Sequence, residues 1–299
     1  MHESDSVAFV TSAWQRDWTV VLDPPRFRMI ADSHRHPFTA RLVVLNNFNT
    51  PAEAARARRA ADELVTAGLA TRVVSAQEIL SDVVLAKFGL DPKLFWQRNP
   101  WFSTAHLAAL HLLQGEVDWM FYQSGDVWLE QPDHWLPRAL AALAAEPDIR
   151  GLNLCRNIYR DHYPAYCDRE TPDLWCSAWW GSRELHPGDK ALGFCLSDHA
   201  YLVRVAAGVD WNFAFTDAEL EPFRKYWPPY AMPCFEMLYN LAMKRQSFRH
   251  AALKPDAAGR PLTKHKSFPK NAPFKLWLYR VLGYYRPGGR LATCVRAGE

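Results

Sequence analysis

Three short apolar runs alternate with two helical segments in the first 75 residues, and that order leaves few folds open. Val7-Ala8-Phe9-Val10-Thr11-Ser12 reads as a buried strand ending in two hydroxyls. Arg41-Leu42-Val43-Val44-Leu45-Asn46-Asn47 reads as a second, ending in two amides, and Ala70-Thr71-Arg72-Val73-Val74-Ser75 as a third. Between the first two, residues 17–33 carry a helical pattern that reaches Asp32 and Ser33. Between the second and third, Thr50 is placed to cap a helix, with Pro51 at its first position, Glu53 in its first turn and Gly68 as its stop. Strand, helix, strand, helix, strand at this spacing predicts an α/β fold with a mostly parallel sheet flanked by helices.

The next strand carries the most informative residues. Val117-Asp118-Trp119-Met120-Phe121-Tyr122 is apolar and aromatic, then breaks at Gln123-Ser124-Gly125-Asp126 and returns to Val127-Trp128-Leu129-Glu130. A buried strand ending in Gly-Asp delivers a carboxylate to the carboxyl edge of a sheet, where open α/β sheets bind ligands. Asp126 can hold a divalent cation against a phosphate there, since hard cations take oxygen ligands. It can equally cap a Ser-Gly-Asp turn.

Ser103 is expected to cap a helix over 104–113 that leads into this strand, after a turn at Arg98-Asn99-Pro100. A helix over 134–145 and a strand over 148–155 follow. Residues 156–192 form a long insertion with Tyr159, Tyr163, Tyr166, Trp175, Trp179 and Trp180, suited either to stacking on an acceptor or to a satellite core. Strand character resumes at 193–197 and 200–203, a helix covers 234–243, and a short strand is expected near Phe248.

Charge is unevenly spread. Residues 1–243 hold 30 acidic against 22 basic side chains, whereas residues 244–299 hold 13 basic against Asp256 and Glu299. The segment 268–299 is therefore expected to be a basic, amphipathic extension to a domain covering 1–267. It would dock on the acidic body, on a second copy or on an anionic membrane surface. No nucleic-acid motif accompanies it. The six cysteines include no CxxC pair, which disfavours a zinc ribbon. No apolar run approaches the roughly 18 residues of a membrane span, and the polar start at Met1-His2-Glu3 has no secretory core, so a cytoplasmic, at most membrane-peripheral, protein is expected.

Thr11 and Ser12, Asn46 and Asn47, Arg98 and Asn99, and Asp126 all fall at strand ends or helix starts. Such a set describes a pocket for a polar ligand carrying phosphate. With no GxGxxG and no GxxxxGKS, dinucleotide oxidoreduction and P-loop chemistry are disfavoured. In this order of elements the chain resembles a glycosyltransferase of the GT-A fold, closest to the inverting, family-2-like group that uses nucleotide sugars. The first strand with Arg16-Asp17, the second strand, Arg98-Asn99 leading through a helix into VDWMFYQSGDVWL, and PCFEMLYNLAMKRQSFRH carry the likeness, over residues 6–266.

The resemblance implies a GT-A-like, Rossmann-like domain that moves a sugar from a nucleotide-diphosphate sugar to an acceptor hydroxyl with inversion. It implies Thr11, Ser12, Arg16, Asn46, Asn47, Arg98, Asn99, Ser124 and Lys266 around the nucleotide. Asp126 and His265 would hold Mn2+ or Mg2+, and Glu236 would be the general base, with Asp217, Glu219 and Glu184 as competitors. Two positions depart from the family pattern. Ser124-Gly125-Asp126 stands where the family has DxD, and Asn46-Asn47 where the second strand ends in Asp. Weakened metal binding, or a basic Lys264-His265-Lys266 group in the metal's place, follows from the first. A GT-A-like nucleotidyltransferase, or a binding or scaffold protein that kept the fold without the chemistry, are the alternatives.

Overall fold

The computed structural model describes residues 5–97, 101–155, 163–177, 200–206, 208–224 and 234–265. Their strands are β1 (Val7–Trp14), β2 (Ala40–Asn46), β3 (Arg72–Ser75), β4 (Trp119–Gln123), β5 (Val127–Leu129), β6 (Ile149–Leu154), β7 (Arg169–Glu170), β8 (Leu174–Ser177), β9 (Ala200–Arg204), β10 (Arg249–Leu253) and β11 (Thr263–His265). Nine of them form one sheet in the order β3-β2-β1-β4-β9-β6-β10-β8-β7, and β11 pairs with β5 beside it. β1, β2, β3 and β4 are mutually parallel, β6 is parallel to β10, and β9 runs against both of its neighbours.

Helices cover both faces. Strand side chains alternate between the two faces. Val7, Phe9 and Ala13 of β1 therefore meet α1 (Trp18–Val21), α2 (Pro24–Ser33), α3 (Pro51–Thr66) and α8 (Leu136–Ala145) in one core. Ala8 and Val10 face the other core, with α4 (Ala76–Ile79), α5 (Asp82–Lys87), α6 (Pro92–Gln97), α7 (Trp101–Leu113) and α10 (Phe235–Arg245).

Local chemistry explains several boundaries. The Thr50 hydroxyl accepts from the Glu53 N–H at 3.3 Å, Pro51 opens α3, and Gly68 follows the helix at φ +68°, a left-handed conformation cheap only for glycine. The segment expected as one helix over 17–33 is two, because Asp23 is extended and Pro24 starts a new first turn. Helix α7 begins at Trp101, so Ser103 is buried inside its first turn instead of capping it. Residues 76–97, illegible in the sequence, are the three short helices α4, α5 and α6.

Part of the expected 156–192 insertion is sheet. β7 and β8 form a hairpin that extends the sheet beyond β10. Tyr163 stacks on Trp175 with ring centres 5.9 Å apart and lies in a small core with Cys155, Ala252 and Leu262. These two rings therefore serve as satellite core. Residues expected to be a basic loop at Lys264-His265 form β11, antiparallel to β5. Among the described residues no helix is long and apolar enough to cross a membrane. The expected strand at 193–197, Tyr159, Trp179, Trp180 and the extension 268–299 lie outside the described residues.

Candidate functional site

Strand β1 pairs with β2 on one side and β4 on the other, so the chain reverses its direction of travel across the sheet at β1 and β4. Connections on either side of such a point leave a crevice beyond the carboxyl ends of the strands, where ligands bind. Ser12, Asn46, Ser124 and Asp126 lie at this edge, and Asn47 follows β2 in a left-handed conformation at φ 54°. β1 runs two residues past Ser12, with Trp14 opposite Asn46, so Thr11 and Ser12 lie within the strand and not at its end. Thr11 shares a face with Phe9 and Ala13 and is buried; Ser12 takes the opposite face and bonds the Tyr122 hydroxyl at 2.7 Å. The Asn46 side chain donates to Thr104 of α7 at 3.4 Å. Arg16 is exposed, its guanidinium 5.5 Å from the Trp14 ring centre.

Two buried side chains hold the turn that carries Asp126. Arg26, on α2 and 2% exposed, donates to the Gly125 carbonyl. His34, the C-cap of α2, anchors the other end. Trp135 Nε1 donates to His34 Nδ1 at 2.9 Å, so the ring proton sits on Nε2 and is given to Gln123 Oε1 at 2.6 Å. The Gln123 amide then donates to the Val127 carbonyl at 2.9 Å, closing the turn from β4 to β5. Burial, opposed by the Gln123 bond, lowers the His34 pKa to about 3, so the chain of bonds runs through a neutral imidazole. Ser124 Oγ donates to Asp126 Oδ1 at 2.6 Å and orients that carboxylate. Strand β11 sets His265 opposite Val127, one residue from Asp126.

Asp17 is the residue sequence reasoning missed. It is half-buried, and its Oδ1 accepts from the Trp14 N–H at 2.9 Å. Burial raises its pKa to about 7; the Trp14 bond opposes this, the Asp126 charge adds to it, and Arg26 opposes it weakly. Two carboxylates and a guanidinium thus share the edge at β1 and β4. Asp17 was legible only as a loop residue after the first strand, because its neighbour Asp126 is distant in sequence.

Glu236 stands in the first turn of α10, half-buried, with the Cys234 thiol donating to its Oε2 at 3.3 Å. Helix α10 reaches the sheet because Gly151 of β6 has no side chain. A Cβ there would lie 2.1 Å from the Tyr239 hydroxyl. Among the competitors, Glu219 is occupied. Its carboxylate accepts from the Thr216 N–H at 2.8 Å and pairs with Arg245 at 2.9 Å, which hold its pKa low. That is a helix capping box with a salt bridge, the arrangement of a structural carboxylate. Asp217 is exposed at the start of α9 (Asp217–Arg224). Arg98, Asn99, Glu184 and Lys266 lie outside the described residues.

No family model matches the chain, and no curated protein sequence does. Solved structures similar to it include glucosyl-3-phosphoglycerate synthase from Mycobacterium tuberculosis in complex with Mn2+, uridine diphosphate and glucosyl-3-phosphoglycerate, at 12% identity and TM-score 0.41, over 89% of this chain and 74% of that one. The same enzyme with Mg2+ and uridine diphosphate matches at 14% identity and TM-score 0.36, over 68% of this chain and 57% of that one. A mycobacterial protein matches at 12% identity and TM-score 0.39, over 91% and 70%. The α/β architecture described above rests on its own strand order and pairing.

Proposed function

We propose that the chain is a GT-A-type glycosyltransferase that moves a sugar from a nucleotide-diphosphate sugar to an acceptor hydroxyl with inversion. The observation that carries this reading is the locked turn at the switch point. Arg26 and the His34–Gln123 pair hold Asp126 at the carboxyl edge beside Asp17, next to the polar end of β2. A fold spends buried hydrogen bonds on a surface turn when that turn must keep one shape for a ligand.

Among the described residues no three His, Cys, Asp or Glu side chains gather into a metal site, so a divalent cation would rest on Asp126 and Asp17, with oxygens of the donor's diphosphate as its remaining ligands. Asp126 and Asp17 offer carboxylate oxygens whose mutual repulsion a cation would relieve, so Asp17 stands in for the carboxylate absent at Ser124. Bound there, Mn2+ or Mg2+ would neutralise charge growing on the departing diphosphate. Ser12, Asn46, Asn47 and Arg16 line the nucleotide side. Ser124, Arg98, Asn99, Lys266 and the His265 position are the other members of the expected set, while Thr11, buried on the core face of β1, drops out of it. Glu236, at the start of α10, takes the proton of the acceptor hydroxyl as that oxygen attacks the anomeric carbon. The bond from that carbon to the diphosphate oxygen breaks on the opposite face, and the nucleoside diphosphate leaves. One displacement with one base inverts the configuration.

A panel of nucleoside diphosphates, screened for thermal stabilisation with and without Mn2+, tests the reading. At least one should raise the melting temperature, and Mn2+ should add to the effect. No stabilisation by any of them at millimolar concentration would refute it.

A further inference from the structure

We propose that His106 is a positioning residue that joins the nucleotide side of the site, at Ser12, to the helix start that carries Glu236. The inference rests on the reading of Glu236 as the base. It is drawn from a buried group of four rings on one face of the sheet, near the carboxyl end of β4. Tyr122 of β4 bonds Ser12 of β1 through its hydroxyl at 2.7 Å. Its ring lies 5.3 Å from that of Tyr201 on β9, at 19°, and 4.1 Å from the imidazole of His106 on α7. His106 Nδ1 bonds the Tyr201 hydroxyl at 2.5 Å. The opposite contact is with Phe235, whose ring lies 5.0 Å from the imidazole and within 5° of parallel. Phe235 opens α10 and immediately precedes Glu236.

Packing alone does not call for this chemistry. Tyr122, Tyr201, His106 and Phe235 are each 5% exposed or less, and phenylalanine would fill the His106 position without taking a polar group out of water. What the imidazole adds is direction. Its bond to Tyr201 fixes the ring's rotation, and so the plane on which Phe235 rests. Burial keeps it neutral, so it brings no charge into the stack. Two hydrogen bonds within the stack thus tie β1 to β4 and α7 to β9, and the ring contact passes their geometry to the first turn of α10. A base displaced by about 1 Å can lose on the order of 10²-fold in rate, which gives the register of that turn its importance.

The test uses hydrolysis of UDP-glucose by the full chain as probe reaction: a water oxygen bonds the anomeric carbon, its proton passes to Glu236, and UDP leaves. His106→Phe keeps the ring and removes Nδ1; Tyr201→Phe removes only the hydroxyl and carries the same test should His106→Phe fail to fold. Both should bind UDP within about twofold of the parent and leave KM unchanged, while kcat falls about tenfold or more. Combined with Glu236→Gln, His106→Phe should cause no further loss, because both act through one group. A merely structural role would lower the melting temperature and multiply with Glu236→Gln. A parental kcat in both single variants, or a loss that multiplies with Glu236→Gln, overturns the proposal while leaving Glu236 in place. A parental rate in Glu236→Gln itself refutes the base assignment and this inference with it.

Discussion

Replacing Gly125 with alanine puts one methyl group between the Asp126 turn and helix α1. A Cβ built on Gly125 lies 2.3 Å from Val21 Cγ2, 2.9 Å from Cγ1 and 3.1 Å from Cβ. Val21 is 4% exposed and stiff at χ1, so it holds its rotamer, and turning it would still leave its Cβ at 3.1 Å, tighter than ordinary contact. The turn and α1 must therefore part by roughly 1.5 Å to reach ordinary carbon contact near 3.5–4.0 Å. Overpacking of this kind costs about 1–3 kcal/mol. Movement of the turn also strains the Arg26 bond to the Gly125 carbonyl and displaces Asp126. Val21→Ala removes both clashing methyl groups at its own cost of about 1–3 kcal/mol in lost burial. The double variant should then be more stable than the sum of the two singles implies, by about 1 kcal/mol or more. Urea unfolding followed by tryptophan fluorescence measures all four corners of the cycle. A Gly125→Ala cost under about 0.5 kcal/mol together with an additive cycle would refute the argument, since such values belong to sites free of steric conflict.

Three further outcomes are expected. Glu236→Gln should lower turnover about 10²–10⁴-fold with nucleotide affinity intact, whereas Asp126→Asn should weaken nucleotide binding specifically in the presence of Mn2+; parental kinetics in both would place the chemistry elsewhere. Glu219→Gln, which alters the capping box with Thr216 and the Arg245 pair, should lower stability while turnover per folded molecule stays parental, and a large fall in kcat would make Glu219 the base. His34, His106 and His250 are buried with pKa values lowered to about 3, burial being the largest cause in each. The unfolded chain takes up these protons near pH 6.5 and the folded one does not. Their contribution is therefore complete above pH 6.5 and is lost as pH falls towards 3, up to about 5 kcal/mol for each. A urea midpoint unchanged between pH 7 and pH 4.5 would contradict this.

Much of the parallel half of the sheet is written locally. Alternating apolar runs, the Thr50–Pro51–Glu53 helix start and the Gly68 stop act over a few residues, so the sequence by itself determines β1, β2, α3 and β3 and places Asp126 just after a buried strand. Tertiary structure decided the rest, because its causes lie far apart in the chain. β1 extends to Trp14 because β2 offers partners as far as Asn46. Lys264 and His265 become strand because they pair with Trp128 and Val127, more than 130 residues earlier in the chain. Asp17 joins Asp126 only when α1 settles against a residue with no side chain. His34 meets Gln123, and His106 meets Tyr201, across 89 and 95 residues. In the sequence these histidines are two among 11, with no periodicity to mark them. Their roles arise from burial, which removes water as a partner and leaves both His34 nitrogens and His106 Nδ1 bonded across the core.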